Sequence, residues 1–279
     1  MWDVVADSVT WSDQLYAIFG RSPDTFTPSY EGYLQCLHED DRPLARHNVE
    51  RALGHHEPYA ADYRVAWPDG EVRWVHCRGR AAIGDDGRVV QLLGTAQDIS
   101  DRKVLEAQLV HRALHDDLTG LPNRSLVVDR LAHAMQRTER TRRHTLALFV
   151  DLDGFKAVND RGGHEAGDEA LRVIGRRLRD CVRQHDTVGR YGGDEFVVVA
   201  EEVRWPGEAA RLAERVLDAA SQPFEHLSAA HAVSASVGGT IATTGRTPDE
   251  VLRNADAAMY EAKARGGNAV AWVDAPGAV

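Results

Sequence analysis

The sequence predicts an α+β chain of two domains joined by a helix, and three observations predict it. Strand-like runs separated by turn residues fill the first third, a charged segment of helical spacing follows, and strand and helix patterns then alternate toward the end. The 279 residues and 43% hydrophobic content are enough to bury two ordinary cores.

From Thr10 to Ser100 a short strand and a helical stretch precede three strand-like runs. Tyr59, Ala61, Tyr63, Val65 and Trp67 alternate with polar neighbours, and Pro68-Asp69-Gly70 turns the chain into the run Glu71 to Ala82. Gly84-Asp85-Asp86-Gly87 makes a second turn before Arg88 to Asp98, so an antiparallel meander with helices on one side is expected. Trp11, Tyr16, Phe19 and Trp74 read as core residues rather than a cofactor box. From Ile99 to Leu118, Val104, Leu105, Leu109, Ala113 and Leu114 recur at helical spacing with no proline or glycine among them. Fewer than three full heptads are present, which favours an ordinary amphipathic linking helix over a coiled coil.

Beyond Asp117, Thr145 to Val150 reads as a buried strand, and Glu165 to Val182 places Leu171, Ile174, Leu178 and Cys181 on one helix face. Thr187 to Tyr191 and Phe196 to Ala200 flank Gly192-Gly193, a hairpin signal. Thr247-Pro248-Asp249-Glu250 is a capping box with proline at the first helical position, and Gly266 is placed to stop that helix. The expected divisions are a domain over 1–100, a linking helix over 101–114 and a second domain over 115–279.

A net charge of −10 argues against a protein that grips nucleic-acid backbones, so no nucleic-acid partner is expected. The segment MWDVVADSVTW carries acids and no long apolar run, so neither a signal peptide nor a membrane anchor is expected, and the expected location is cytoplasmic. Trp2 already reads as mid-segment, which leaves room for a longer parent chain. Cys36, Cys77 and Cys181 lie far apart without CxxC spacing, which argues for a reducing compartment and against a disulfide framework or structural zinc.

Asp151-Leu152-Asp153 ends an apolar strand, where the two carboxylates are expected to take opposite faces, one toward a cleft. Asp194-Glu195 follows two glycines at a hairpin tip, where bare backbone lets a bulky ligand approach. Either pair alone also reads as solvated acids; together they suit a hard-oxygen magnesium site with room for phosphate oxygens. In the run Phe155 to Asp168, which leads into the next helix, Asn159 and Asp168 suit the hydrogen-bonding edge of a guanine. Each also has a purely local reading, Asn159 as a turn former and Asp168 as an acid at a helix N-terminus.

Arg190-Tyr191-Gly192-Gly193-Asp194-Glu195-Phe196 carries the GGDEF letters, and this part of the chain resembles the diguanylate cyclases. The resemblance extends over 112–274 through His115 to Arg124, the Asp151 to Asp168 run and Tyr260-Glu261-Ala262-Lys263, in the family's order and spacing. It implies a ferredoxin-like palm of the cyclase and polymerase kind, and a magnesium-dependent nucleotidyltransferase that condenses two GTP into cyclic di-GMP and two pyrophosphates. It further implies magnesium, two ions per site with manganese as a substitute, on Asp151, Asp194 and the Leu152 carbonyl. Asn159 and Asp168 would read guanine, Lys156 and Lys263 would meet the triphosphate, and Phe155, Gly192 and Gly193 would shape the cleft. Asp194 or Glu195 would help deprotonate the attacking hydroxyl, and a homodimer would bring two GTP molecules together.

Two further features follow from the resemblance. Lys263-Ala264-Arg265-Gly266-Gly267-Asn268 has Gly267 where the family carries a phosphate-binding arginine, which implies weaker GTP contact unless Arg265 substitutes. Arg183-Gln184-His185-Asp186 has the RxxD form of the family's inhibitory site, so cyclic di-GMP is implied as inhibitor as well as product. Residues 10–102 resemble PAS domains through His38-Glu39-Asp40-Asp41, Tyr63-Arg64, Asp69 to Trp74 and Gly94 to Ser100. The ligand of such a sensor is not legible: Cys77 lies outside the flavin-photoreceptor motif, and His47, His55 and His56 read as solvated rather than as haem ligands. The alternative to a sensor-controlled cyclase is a weak or inactive GGDEF domain acting as a cyclic di-GMP or GTP receptor; a cyclase with another nucleotide product is disfavoured by Asn159 and Asp168.

Overall fold

The computed structural model describes residues 1–141, 143–204, 207–224, 233–243 and 245–273. The chain divides into two compact units, Met1–Leu109 and Val110–Val279. The boundary falls within helix α4 (Ser100–Leu114).

In the first unit, β1 (Trp2–Asp3) and β2 (Ser8–Val9) precede α1 (Asp13–Ile18), α2 (Tyr30–Cys36) and α3 (Arg42–His55), and then β3 (Tyr59–Ala66), β4 (Val72–Ile83) and β5 (Val89–Asp98) form the meander. The antiparallel sheet has the order β2-β1-β5-β4-β3. Ser12 and Ser29 start α1 and α2 by accepting from the Leu15 and Gly32 amides. Alternation sends Tyr63, Val65, Val75 and Cys77 to the inner face, against Trp11, Phe19, Leu34 and Leu37. Trp74 departs from the core expectation for the same reason: it takes the outer face, beneath the Arg64 guanidinium at 5.9 Å and the Lys103 ammonium at 5.3 Å. The Asp41 carboxylate accepts from the Arg64 amide at 2.7 Å and from its guanidinium at 2.7 and 3.0 Å, so these motif residues clamp the turn before α3 onto β3. His47, His55 and His56 are exposed along α3.

Val104, Leu105, Leu109 and Val110 of α4 are each more than half exposed, and no residue of this helix is buried.

The second unit contains α5 (Arg124–Thr141), β6 (His144–Asp153), α6 (Phe155–Asp180), β7 (Thr187–Gly192), β8 (Glu195–Val203), α7 (Gly207–Ser221), β9 (Ser234–Ala242), α8 (Pro248–Ala264) and β10 (Ala269–Trp272). The sheet order is β10-β9-β6-β8-β7. The unit β6-α6-β7-β8-α7-β9 thus has the ferredoxin-like arrangement, with β6 central and antiparallel to β8 and β9. Leu146, Leu148, Val150 and Leu152 of β6 face a core shared with Leu171, Ile174 and Leu178 of α6 and with α7. Ala147 and Phe149 face α5 and α8. Burying each large apolar side chain contributes about 1.5–3 kcal/mol, so the two-sided packing fixes the register of β6 firmly. The expected capping box is present, with Thr247 and Glu250 each bonding the other's amide.

The start of α6 differs from expectation. Residues 155–162 are helical rather than a connecting loop, and the helix breaks at Gly163, whose φ of 75° and ψ of 174° a side chain would resist, before resuming. Among the described residues no helix is long and apolar enough to cross a membrane.

Candidate active site

The end of β6 and the tip of the β7–β8 hairpin build the site. Asp151 lies opposite Glu195 on β8 and Ser236 on β9, so its carboxylate shares a face with both. Asp153 does not take the opposite face, as residues two apart in a strand point the same way. Its carboxylate accepts from the Ser234 and Ser236 hydroxyls at 3.0 and 2.8 Å and from the Asn268 amide at 2.9 Å, binding the turn after α8 to the sheet. Asp151 is 7% exposed, and its charge is met by the Lys263 ammonium at 2.7 Å. That bond holds the lysine above its usual pKa.

Asp194 and Glu195 are half-buried at the hairpin tip. Burial first, and the charge of Asp151 second, push both carboxyls above their usual range. Three acids thus converge around one ammonium, and they repel each other. Among the described residues no group of three or more His, Cys, Asp or Glu side chains is placed to hold a metal ion by itself. Magnesium needs only one or two carboxylates when phosphate supplies further oxygens, and mutually repelling oxygen ligands at a strand end fit such an ion. Leu152 sends its side chain into the core, which leaves its main chain between the two aspartates at the strand terminus.

The nucleotide-facing candidates lie along the first turns of α6. Gly154, at φ 78°, turns the chain from β6 into the helix, where Phe155 packs on the core and Lys156 is exposed. Asn159, one turn later, rests against Gly167 beyond the break: a Cβ at Gly167 would clash with Asn159 Oδ1 and come 3.2 Å from Phe155 Cζ. Asp168 follows, half-buried. Gly192 and Gly193 are exposed at the hairpin tip, Gly193 with φ 49°. Gly267, at φ 73°, faces Asp153, whose carboxylate oxygen would stand 2.7 Å from a Cβ there. Arg265 pairs with Glu261 on its own helix.

Of the RxxD residues, Asp186 bonds inward and Arg183 stays half-exposed. Asp186, 5% exposed, accepts from the Arg183 amide at 3.0 Å and the Glu201 amide at 3.1 Å, while the Arg183 guanidinium pairs with Glu208. Beside them a cavity of about 890 Å³ is lined by Arg130, Arg137, Arg179, His185 and Asp186.

Two residues with no role in the sequence reading organise the tip. The Arg190 guanidinium donates to the Gly193 carbonyl at 2.7 and 2.9 Å and to both oxygens of Asp116 at 3.1 Å. Asp116 also accepts from the Thr119 amide and hydroxyl, and against the opposing effect of burial these bonds hold its carboxyl below the usual range.

Residues 113–269 match the family model described as diguanylate cyclase, GGDEF domain. The chain belongs to the GGDEF diguanylate cyclase family. A PAS fold model matches residues 8–96 ahead of this GGDEF domain. The bifunctional diguanylate cyclase/cyclic di-GMP phosphodiesterase MucR of Pseudomonas aeruginosa is 48% identical over 162 residues, 58% of this chain and 24% of MucR. Diguanylate cyclase TpbB of the same species is 40% identical over 175 residues, 61% of this chain and 40% of TpbB. The matches thus span well under half the length of these curated relatives. The coiled coil and GGDEF domain of DgcB from Caulobacter crescentus, crystallised with cyclic di-GMP, superposes with a TM-score of 0.56 at 28% identity, covering 62% of this chain and 91% of that one.

Proposed function

We propose that this protein condenses two GTP molecules into cyclic di-GMP with release of two pyrophosphates, and that the PAS domain regulates the reaction. The observation that carries the reading is the convergence of Asp151, Asp194 and Glu195 around Lys263 at the end of β6. Asp151, Asp194 and the Leu152 carbonyl would hold magnesium, or manganese in its place, which when bound would lower the pKa of the attacking hydroxyl and neutralise charge on the phosphates. Asp194 or Glu195 helps take the proton of the 3′-hydroxyl as its oxygen bonds the α-phosphorus of the other GTP and pyrophosphate leaves. Lys263 and Lys156 stabilise the triphosphate. Asn159 and Asp168 select guanine, and Phe155, Gly192 and Gly193 shape the cleft around it.

Each GGDEF domain holds one GTP, so two copies must face each other to close the ring. The exposed Val104, Leu105, Leu109 and Val110 of α4 supply apolar surface on which two copies can pair. Product inhibition at Arg183 and Asp186 fits the inward bonding of Asp186, which presents Arg183 on a stiff loop; an arriving anion would replace Glu208 as its partner.

The test is to incubate the protein with GTP and magnesium and separate the products, with ATP in parallel and with cyclic di-GMP added to parent and Arg183→Ala. Cyclic di-GMP from GTP alone, with product inhibition lost in the variant, is expected. Unchanged inhibition in Arg183→Ala would reject the inhibitory site. Gly267, which removes the family's phosphate-binding arginine, favours a second reading as a receptor; no product at any protein concentration, with cyclic di-GMP still bound, would select it.

Gly167 offers a separate check on guanine recognition. Gly167→Ala should displace Asn159 and weaken GTP binding about tenfold or more, a loss of roughly 1.4 kcal/mol or more from one misplaced base contact. Titration of parent and variant with a non-hydrolysable GTP analogue measures it, and equal affinities would remove Asn159 from the base site.

A further inference from the structure

Two imidazoles stand together where α4 ends. The rings of His111 and His115, four residues apart, are stacked with centroids 4.1 Å apart and planes 16° from parallel. His115 Nδ1 donates to the His111 carbonyl at 3.1 Å, a bond that needs the proton on Nδ1 and leaves the Nε2 lone pair free. A backbone carbonyl on the far nitrogen is how a metal-binding histidine is oriented. His111 follows Val104 by seven residues and His115 follows it by eleven, so both lie within about 20° of Val104 around the helix axis. They extend the exposed apolar strip of Val104, Leu105 and Leu109. We propose that His111 and His115 of two copies together bind one zinc ion between paired α4 helices. This rests on the reading of α4 as the pairing surface of a dimer.

Ligand type, spacing and number each support the site. Imidazole nitrogens suit zinc, whereas the carboxylates at the end of β6 suit magnesium. Two nitrogens held ~2.0–2.1 Å from a tetrahedral zinc lie about 3.3 Å apart, so rings already 4.1 Å apart need only a small turn of the exposed His111 to share an ion. Arg112 stands between them in sequence but about 60–100° away around the axis, exposed to solvent. A closed zinc site takes four ligands, and one chain supplies two here. Two catalytic domains that both follow the C-terminal end of α4 face each other when the helices run parallel. A parallel two-fold pair sets each residue near the axis opposite its own copy, so the four imidazoles meet. Asp116, directly after His115, bonds Arg190 of the catalytic hairpin, so the ion fixes each helix end one residue from the anchor of that hairpin.

The experiment uses the full chain without a histidine tag, stripped of metal and kept in excess magnesium to occupy the carboxylates. Zinc is titrated by calorimetry, cobalt(II) takes its place as a spectroscopic probe, and sedimentation gives the mass with and without zinc. The parent is compared with His111→Ala, His115→Gln and, as a control, His133→Ala, whose imidazole pairs with Asp129 at 3.4 Å on α5. Expected are one zinc per two chains, a tetrahedral cobalt spectrum, and a dimer tightened about tenfold or more by zinc. Zinc affinity should fall about 100-fold or more in His111→Ala and in His115→Gln, and stay unchanged in His133→Ala. One zinc per chain, unchanged affinity in both variants, or a dimer that binds no zinc would overturn the site alone. A chain that stays monomeric with and without zinc would overturn the site together with the pairing of α4. Cyclic di-GMP output is measured separately: a chain that binds one zinc per dimer and makes no cyclic di-GMP keeps the site and loses the cyclase reading.

Discussion

Asp194→Asn is expected to lower cyclic di-GMP formation by about 10³-fold while raising the unfolding temperature of the metal-free protein by about 2 °C. The two effects share a cause. Burial and the neighbouring Asp151 make ionisation of Asp194 unfavourable in the folded chain, so its folded pKa lies above the unfolded one. Such a group favours folding below the ordinary carboxylate range, and that contribution disappears as pH rises through the raised folded value. At pH 7 the ionised carboxylate therefore opposes folding, and asparagine, neutral at every pH, relieves it. Calorimetry of parent and variant from pH 4 to 8 without divalent ions, beside the product assay, checks both. The gap in unfolding temperature should shrink toward pH 4; a variant less stable than the parent at pH 7 would show that the three acids do not strain the site.

Gly238→Ala should affect fold and reaction together. A Cβ at this position on β9 would meet the main chain of α8 at Met259 and Ala255, and 2.7 Å from the Met259 Cα, where no side chain can rotate away. The helix must lift from the sheet, at a cost of about 3 kcal/mol, which lowers the unfolding temperature of the GGDEF domain by roughly 10 °C. Lys263 rides on α8 and loses Asp151 in the same movement, so turnover should fall even at temperatures where the variant is folded. Thermal unfolding followed with GTP turnover at 15 °C separates the two, and a variant as stable as the parent would mean that α8 does not rest on β9 as described.

The parts of the fold legible in the sequence were those written in local pattern: the three-stranded meander, the apolar β6, the buried face of α6, the Gly192-Gly193 hairpin and the Thr247 capping box. β9 was not legible, because SASVGGTIA carries serines and paired glycines that weaken a strand reading, and Gly238 is there for the closeness of α8 rather than for the strand. The sequence reading does not mark α5, α7 or the four-residue β10. The helical start of α6 was hidden by Asn159-Asp160 and Gly162-Gly163, which locally signal a turn, although only Gly163 leaves the helix. Within the site, the two acidic pairs stood out beside apolar strands, but Lys263 entered only through family resemblance, since 112 residues separate it from Asp151. Gly167 and the Arg190–Asp116 pair were invisible for the same reason: their meaning lies in contacts that no short window contains.

That pair also bears on how tightly substrate can bind. A hairpin tip with two exposed glycines has many conformations open to it, and a ligand that had to choose one would lose affinity by the entropy of the choice. Arg190 joins the Gly193 carbonyl to Asp116, a residue 74 positions earlier that Thr119 already holds in place. The conformational freedom of the tip is thus surrendered when the domain folds, and the nucleotide meets carboxylates whose positions are already decided.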